Sequence, residues 1–371
     1  MPGADEATAR NGTARKKQLA TPEPSIVGQY WEDITTLNWT RYPGSSFRLM
    51  ILPILLWFNW HIIGSSPKNP FSPLLFISNP VKTTPTGQVQ YAKSYADLAF
   101  IGYYIVVFSF IRQFTHAYVL HPFARRLGLY RSKEERFVEQ AYSFLYYGSM
   151  GIFGLFVMRE LPTWWYKTEH FWLEYPHWEM NKLMKTYYLL QTAYWTQQLF
   201  VLVLKIEKPR KDYTELVIHH VVTIWLIGWS YLINLTWIGN AVFVTMDWSD
   251  VFLALAKMLN YLDMEISKSI AFTWFALVWT YTRHYLNLRI IWSVWHEFWL
   301  IRPENQMWDT ARGVWLAPWM RYQVFAPLVA LQAVNLFWYW NIWRIIITTI
   351  VFKKDLDDDR SEHGDDDTKE E

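Results

Sequence analysis

Hydrophobic residues gather into eight blocks along the chain, 47–63, 96–114, 137–158, 187–204, 214–235, 237–262, 269–295 and 323–352, separated by more polar stretches. A helix needs about 20 residues to cross the hydrocarbon of a bilayer. Blocks of that length without a charged stripe at helical spacing predict membrane spans, because the surface helices of a soluble domain keep one polar face. The predicted fold class is an all-α integral membrane protein with about eight transmembrane helices. Residues 1–46 are polar, contain no apolar run of signal-peptide type, and are expected to be cytosolic and largely disordered. The connections 64–95, 160–186 and 296–322 are dense in Trp, Tyr and Pro and read as interfacial segments. No internal repeat, Gly-rich phosphate loop or appended soluble domain is visible.

An even number of spans puts both ends on one side. Lys and Arg flank the spans 18 to ten in favour of the side that carries the termini, so both termini are expected to be cytosolic. Asn11, Asn38 and Asn234 stand in Asn-x-Ser/Thr triplets; the first two would face the cytosol and the third abuts a span, so none is expected to be glycosylated. The net charge of +2 hides a tail, 355–371, with ten acidic residues against Arg360 and Lys369. The chain has 24 Trp and no Cys. Disulfides, thiolate metal sites and an S-acyl enzyme intermediate are thereby excluded.

Ionisable side chains inside a span are costly and mark sites where protein, not lipid, surrounds them. The fifth and sixth blocks concentrate them. His219 and His220 lie about 9 Å from the start of their helix, and adjacent helical residues diverge by about 100°. Asp247, Asp250 and Lys257 follow at spacings of three and seven, on one helix face. Arg283, His284, Asn287 and Arg289 form a further polar stripe in the seventh block, and Arg283 is a candidate partner for the carboxylates. Each group also has a bland reading, as solvated interfacial histidines or a structural ion network. Two His and two Asp could in principle hold a metal, but neighbouring histidines on an unbroken helix do not readily ligate together. No metal is predicted, and acid–base chemistry on an amphiphile is favoured.

From Lys211 to Tyr261 the order is Lys-Asp-Tyr, the His pair, Met-Asp-Trp-Ser-Asp, then Leu-Ala-Lys-Met-Leu-Asn-Tyr. This run resembles the Lag motif of ceramide synthases, within the TLC domain. The spans from 137 to 352 look like the remainder of that domain, a six-helix bundle. The two earlier spans look like the accessory region of fungal members, and no homeobox-like segment lies between the second and third spans. Asp358-Asp-Arg-Ser-Glu362 is similar to an acidic signature near ceramide synthase C-termini. The implied organisation is a cytosolic N-terminus (1–46), two helices with a basic cytosolic loop (47–136), the TLC catalytic domain (137–352) and an acidic cytosolic tail (353–371).

The resemblance implies an acyltransferase of the endoplasmic reticulum membrane. It would move a fatty acyl group from acyl-CoA to the amine of dihydrosphingosine or phytosphingosine, giving a (dihydro)ceramide. Such a reaction needs no cofactor beyond acyl-CoA as co-substrate. It needs a base for the ammonium and a group that stabilises charge on the carbonyl oxygen. His219 and His220 are the candidate base or nucleophile, with Asp247 and Asp250 orienting and stabilising the imidazole. Direct attack by the amine and an acyl-imidazole intermediate both remain open. Lys205, Lys208, Arg210 and Lys211 precede the His helix and are candidates for the CoA phosphates. Tyr213, Lys257, Asn260, Tyr261 and Arg283 complete the substrate-binding set. Expected partners are the two substrates and membrane lipids, with room for a homodimer or a heterodimer with a paralogue and for a small single-span regulatory subunit; no nucleic acid is expected. The rivals are a non-catalytic TLC protein, lipid-binding or translocon-associated, and a proton-coupled transporter. The first should lack the complete His/Asp set and the second should show inverted repeats.

Overall fold

The computed structural model describes residues 25–352 apart from 65, 67, 86 and 210. The N-terminal residues 1–24, the acidic tail and Arg210 lie outside the described residues. Eight membrane-length helical rods run back and forth among the described residues. They are α2 (Pro43–Ile63), α4–α5 (Ala96–Phe114, His121–Arg126), α6 (Arg131–Arg159), α7 (Lys182–Val203), α8 (Tyr213–Leu232), α9 (Thr236–Tyr261), α10–α11 (Glu265–Trp279, Asn287–His296) and α12 (Met320–Phe352). Two short helices, α1 (Ile26–Thr35) and α3 (Ser72–Leu75), flank α2. The spans Pro43–Ile63, Ala96–Arg126, Arg131–Arg159 and Tyr213–Leu232 are long and apolar enough to cross a membrane by length and composition alone. The other four bury polar side chains, among them Gln191, Asp247, Arg283 and Asn335. The protein is an all-α, multi-pass membrane protein.

Each rod coincides with one of the eight apolar blocks; five blocks lie inside their helices, and 187–204, 214–235 and 237–262 overrun α7, α8 and α9 by one to three residues. Helix α6 starts six residues before the block at Phe137 because Arg131, Lys133, Glu134, Glu135 and Arg136 are helical too. Apolar blocks mark contact with lipid or core, whereas a helix continues until a cap stops it. At the start of α7, Asn181 supplies such a cap by accepting from Met184 N at 2.7 Å. Two rods are interrupted by π-helical segments, Thr115–Leu120 and Thr280–Leu286. A π turn inserts one extra residue and turns the following side chains onto a different face.

Helix α9 is the hub of the bundle, packed against α6, α10 and α8, while α4 attaches the two accessory rods to α7. The connections 64–95 and 160–186 differ from the interfacial loops expected of them. They pair as a small antiparallel sheet, β1 (Pro80–Thr83), β2 (Val89–Tyr91) and β3 (Met180–Asn181), with Pro80 opposite Tyr91 and Gln90 opposite Asn181. Next to the sheet, the fully buried Lys185 pairs with Asp97 at 2.8 Å and donates to the carbonyls of Ser78 and Ala92 at 2.8 and 2.7 Å. Tyr231 donates to the other oxygen of Asp97 at 2.8 Å. A buried ion pair is tolerable when its remaining hydrogen-bonding capacity is met in this way. Segments 160–181 and 297–319 form an aromatic cap over the same end of the bundle. Phe171, Trp172 and Phe298 are wholly buried there, and Tyr175 donates to Ile233 O at 2.8 Å. Asn234 is 3% exposed and donates to Gly313 O, so this triplet offers no accessible amide.

Candidate active site

Helix α8 separates its faces cleanly. Ile218, Val221 and Trp225 are exposed toward lipid, and His219, His220, Thr223 and Ile227 are buried at the spacing of one helical stripe. The histidines are therefore not solvated interfacial residues. Their rings stand 5.7 Å apart and perpendicular. His220 Nδ1 donates to Leu216 O at 2.8 Å. A carbonyl can only accept, so in the neutral ring the lone pair is on Nε2. His219 Nδ1 is buried without a partner. Trp195 of α7 is wedged edge-on against both imidazoles, at 5.7 Å from His219 and 5.6 Å from His220, and Trp338 of α12 closes the other side of His219 at 5.3 Å.

The two aspartates have different surroundings despite their spacing of three. Asp250 is held by Arg283 at 2.6 Å. Arg283 also donates to Ser249 Oγ (2.6 Å), Met246 O (3.1 Å) and Asn335 Oδ1 (3.1 Å) and stacks over Trp279 at 4.0 Å. It sits in the π segment Thr280–Leu286, where the irregular turn aims it at α9 and α12. Asp247 is fully buried on the α6–α7 side, accepting from Gln191 Nε2 at 2.8 Å. Gln191 in turn donates to Tyr187 OH and accepts from Tyr146 OH. Asp247 Oδ1 has no partner.

Three voids meet at the His pair. The first, with about 740 Å³ of empty space, is walled by apolar side chains of α8, α9 and α12 and has His219, Asp250 and Arg283 at one end. The second, about 900 Å³, is lined by Glu139, Ser143, Gln198, Lys208, Tyr213 and His220 among others. The third, about 680 Å³, lies between them and is bordered by both histidines, Asp250 and Arg283. The carboxylates of the polar void are neutralised from behind, Glu207 by Arg112 at 3.0 Å and Glu139 by Arg136 at 3.2 Å.

The structure thus brings His219, His220, Asp250 and Arg283 together and sets Lys208 and Tyr213 on the adjoining polar void. Lys205 and Lys211 are exposed beside it, Lys205 standing 5.8 Å over the Tyr213 ring. Asp247 borders none of the three voids. Neither do Lys257, Asn260 and Tyr261, on the last turns of α9; Lys257 is 7% exposed, and Tyr261 belongs to the buried cluster that also holds Phe137 and Tyr194. Among the described residues no three His, Asp or Glu side chains converge as a metal site would require. Trp195, Gln191 and Asn335 were not singled out in the sequence. Their signal was there as polar or amphipathic groups inside apolar blocks, with Gln191 and Trp195 four residues apart on one face of α7.

A family model described as the TLC domain matches residues 136–344. The sphingosine N-acyltransferase lac1 of Schizosaccharomyces pombe is 40% identical over 325 residues, 87% of this chain and 82% of that protein. The ceramide synthase LAG1 of Saccharomyces cerevisiae is 35% identical over 98% of this chain and 88% of its own length. The sphingosine N-acyltransferase-like protein FUM17 of Gibberella moniliformis is 39% identical over 74% of this chain and 72% of its own.

Proposed function

Because the chain belongs to the TLC-domain family, beside the fungal sphingosine N-acyltransferases, we propose that it is a ceramide synthase whose reaction runs at the His219–His220 pair. The donor is a fatty acyl-CoA and the acceptor the amine of a long-chain sphingoid base. The observation that carries this reading is the meeting of an apolar and a polar void at two buried imidazoles. An acyl-CoA has the same division, an apolar chain joined through a thioester to an anionic, water-seeking head. With its chain in the apolar void and its head in the polar one, the thioester lies between His219 and His220. Lys208, with Lys205 and Lys211 nearby, supplies positive charge on the side of the head group.

The chemistry follows from this arrangement. The sphingoid amine arrives as an ammonium and must lose a proton before its nitrogen can attack. His220 offers a lone pair on Nε2, because its Nδ1–H is committed to Leu216 O. His219 borders the apolar void and is the imidazole beside the acyl carbonyl. The imidazole takes this first proton and releases it to water through the polar void; attack then forms the C–N bond, the imidazole takes the second proton from the nitrogen as the C–S bond breaks, and that proton passes to the CoA sulfur. Asp250, already carrying the charge of Arg283, stabilises the imidazolium formed on the way. In the same reading the enzyme lies in the endoplasmic reticulum membrane with both termini cytosolic, and the polar void opens to cytosolic acyl-CoA.

Purified protein given acyl-CoA and dihydrosphingosine should release CoA and form the N-acyl product, and His219→Ala and His220→Ala should each abolish release. Undiminished turnover in both variants would sink the proposed site. Intact mass after acyl-CoA alone separates the two routes: an adduct of acyl mass that His219→Ala removes marks an acyl-imidazole, and an unmodified chain marks direct attack.

A further inference from the structure

Among the described residues Trp195 alone borders all three voids. It is 5% exposed, touches both imidazoles edge-on, and its indole Nε1–H has no acceptor. An indole N–H can only donate, so the group it lacks is an oxygen or another lone pair. Buried donors are nearly always bonded, and one left open beside a reactive pair calls for a physical reason. The other strong donor of the site is committed, since Arg283 is spread over Asp250, Ser249, Met246 O and Asn335. Two further tryptophans near the voids have open N–H groups. Trp279 is covered by the Arg283 guanidinium. Trp229 is ten residues beyond His219 on α8, about 15 Å along the helix.

Resting on the acyl-transfer reading above, we propose that Trp195 is a catalytic residue: its indole N–H donates to the acyl carbonyl oxygen of the thioester and stabilises the charge that gathers there. When the attacking nitrogen bonds to the carbonyl carbon, the π pair moves onto oxygen. When the C=O bond re-forms, the C–S bond breaks and sulfur leaves, taking its proton from the imidazolium. Oxygen carries the negative charge between these events, and a fixed donor in a water-poor site lowers the barrier on both sides. The position suits this role because a thioester running from the polar to the apolar void passes the one side chain that walls both.

Trp195→Phe keeps an aromatic ring in the wedge and removes the N–H donor together with part of the indole's volume. The expected result is a fall in kcat of about 10²–10³, with KM for acyl-CoA within about threefold of wild type. Replacement by 3-benzothienylalanine, which exchanges N–H for sulfur at nearly constant shape, should match Trp195→Phe and guards against a variant that merely folds poorly. A non-cleavable ketone analogue of acyl-CoA, with CH₂ for sulfur and a ¹³C carbonyl, reads the bond directly. Its carbonyl infrared band should lie at lower wavenumber on the wild type than on Trp195→Phe. Variants with kcat near wild type, or a carbonyl band at the same position on both proteins, overturn the assignment of Trp195. Failure of the wild type itself to release CoA would instead overturn the acyl-transfer reading.

Discussion

Replacing Asp250 with Asn should damage the protein twice, and the two effects can be separated. The Arg283 side chain is 3% exposed and that of Asp250 is 20% exposed, with 2.6 Å between them. Asparagine keeps the shape and removes the charge, leaving a guanidinium in the middle of a helix bundle with its neutral partners only. Breaking a buried ion pair from one side costs about 3–5 kcal/mol. Partial exposure of the carboxylate and three neutral acceptors around Arg283 favour the lower end, about 3 kcal/mol, or about 150-fold in the folding equilibrium. At about 2 °C per kcal/mol for a chain at the large end of the usual range, the melting temperature should drop by about 6 °C. Intrinsic tryptophan fluorescence during a thermal ramp in lipid nanodiscs reads this, and CoA release from the same preparations reads activity. The double variant Asp250→Asn/Arg283→Gln removes both charges and should regain most of the stability, while staying inactive because the imidazolium has lost its counter-charge. A single Asp250→Asn variant as stable as wild type, or a double variant showing the sum of two independent losses, would refute the reasoning.

Two further outcomes follow from the opposite end of the bundle. Lys185→Met or Asp97→Asn alone should each destabilise by about 3–5 kcal/mol, and together by much less, because the pair is dry and otherwise satisfied; strictly additive melting shifts would count against this. His177 is stacked on Trp237 at 3.7 Å in the aromatic cap, and burial lowers its pKa from 6.5 to about 4. The folded state favours the neutral ring, so this contribution is fully present above pH about 6.5 and is lost as pH falls from there toward 4. His177→Phe should flatten that part of a melting-temperature profile, and parallel profiles for the two proteins would exclude the effect.

Much of the architecture was legible as apolar block length, since a bilayer imposes a repeat on sequence that a soluble core does not. Each of the eight blocks coincides with a rod to within three residues at its C-terminal end. Helix ends were less legible, as at Arg131–Arg136, where charge marks the membrane boundary without ending the helix. The sheet was invisible because strands of two to four residues leave no period to detect. Around the histidines, helical spacing places Asp247 and Asp250 on a common side of α9, but it does not say which neighbour each will meet. That depended on α6 and α7 passing one edge of α9 while the π turn at Arg283 reaches the other. The contribution of Trp195 could not be read for a related reason. Its neighbours come from α8, and one-dimensional spacing carries no information about which span lies alongside.

The small sheet also constrains how the protein is made. Strands β1 and β2 are adjacent in the chain and can form a hairpin as soon as they emerge, but β3 follows β2 by about 89 residues. At roughly 5–20 residues per second of synthesis, the outer edge of β2 waits on the order of 4–18 s before its partner exists. Throughout that interval it presents unpaired backbone groups to whatever is nearby. Lys185, four residues beyond β3, arrives with the strand that covers the edge, so edge closure and capture of Asp97 are completed together as the fourth span is inserted.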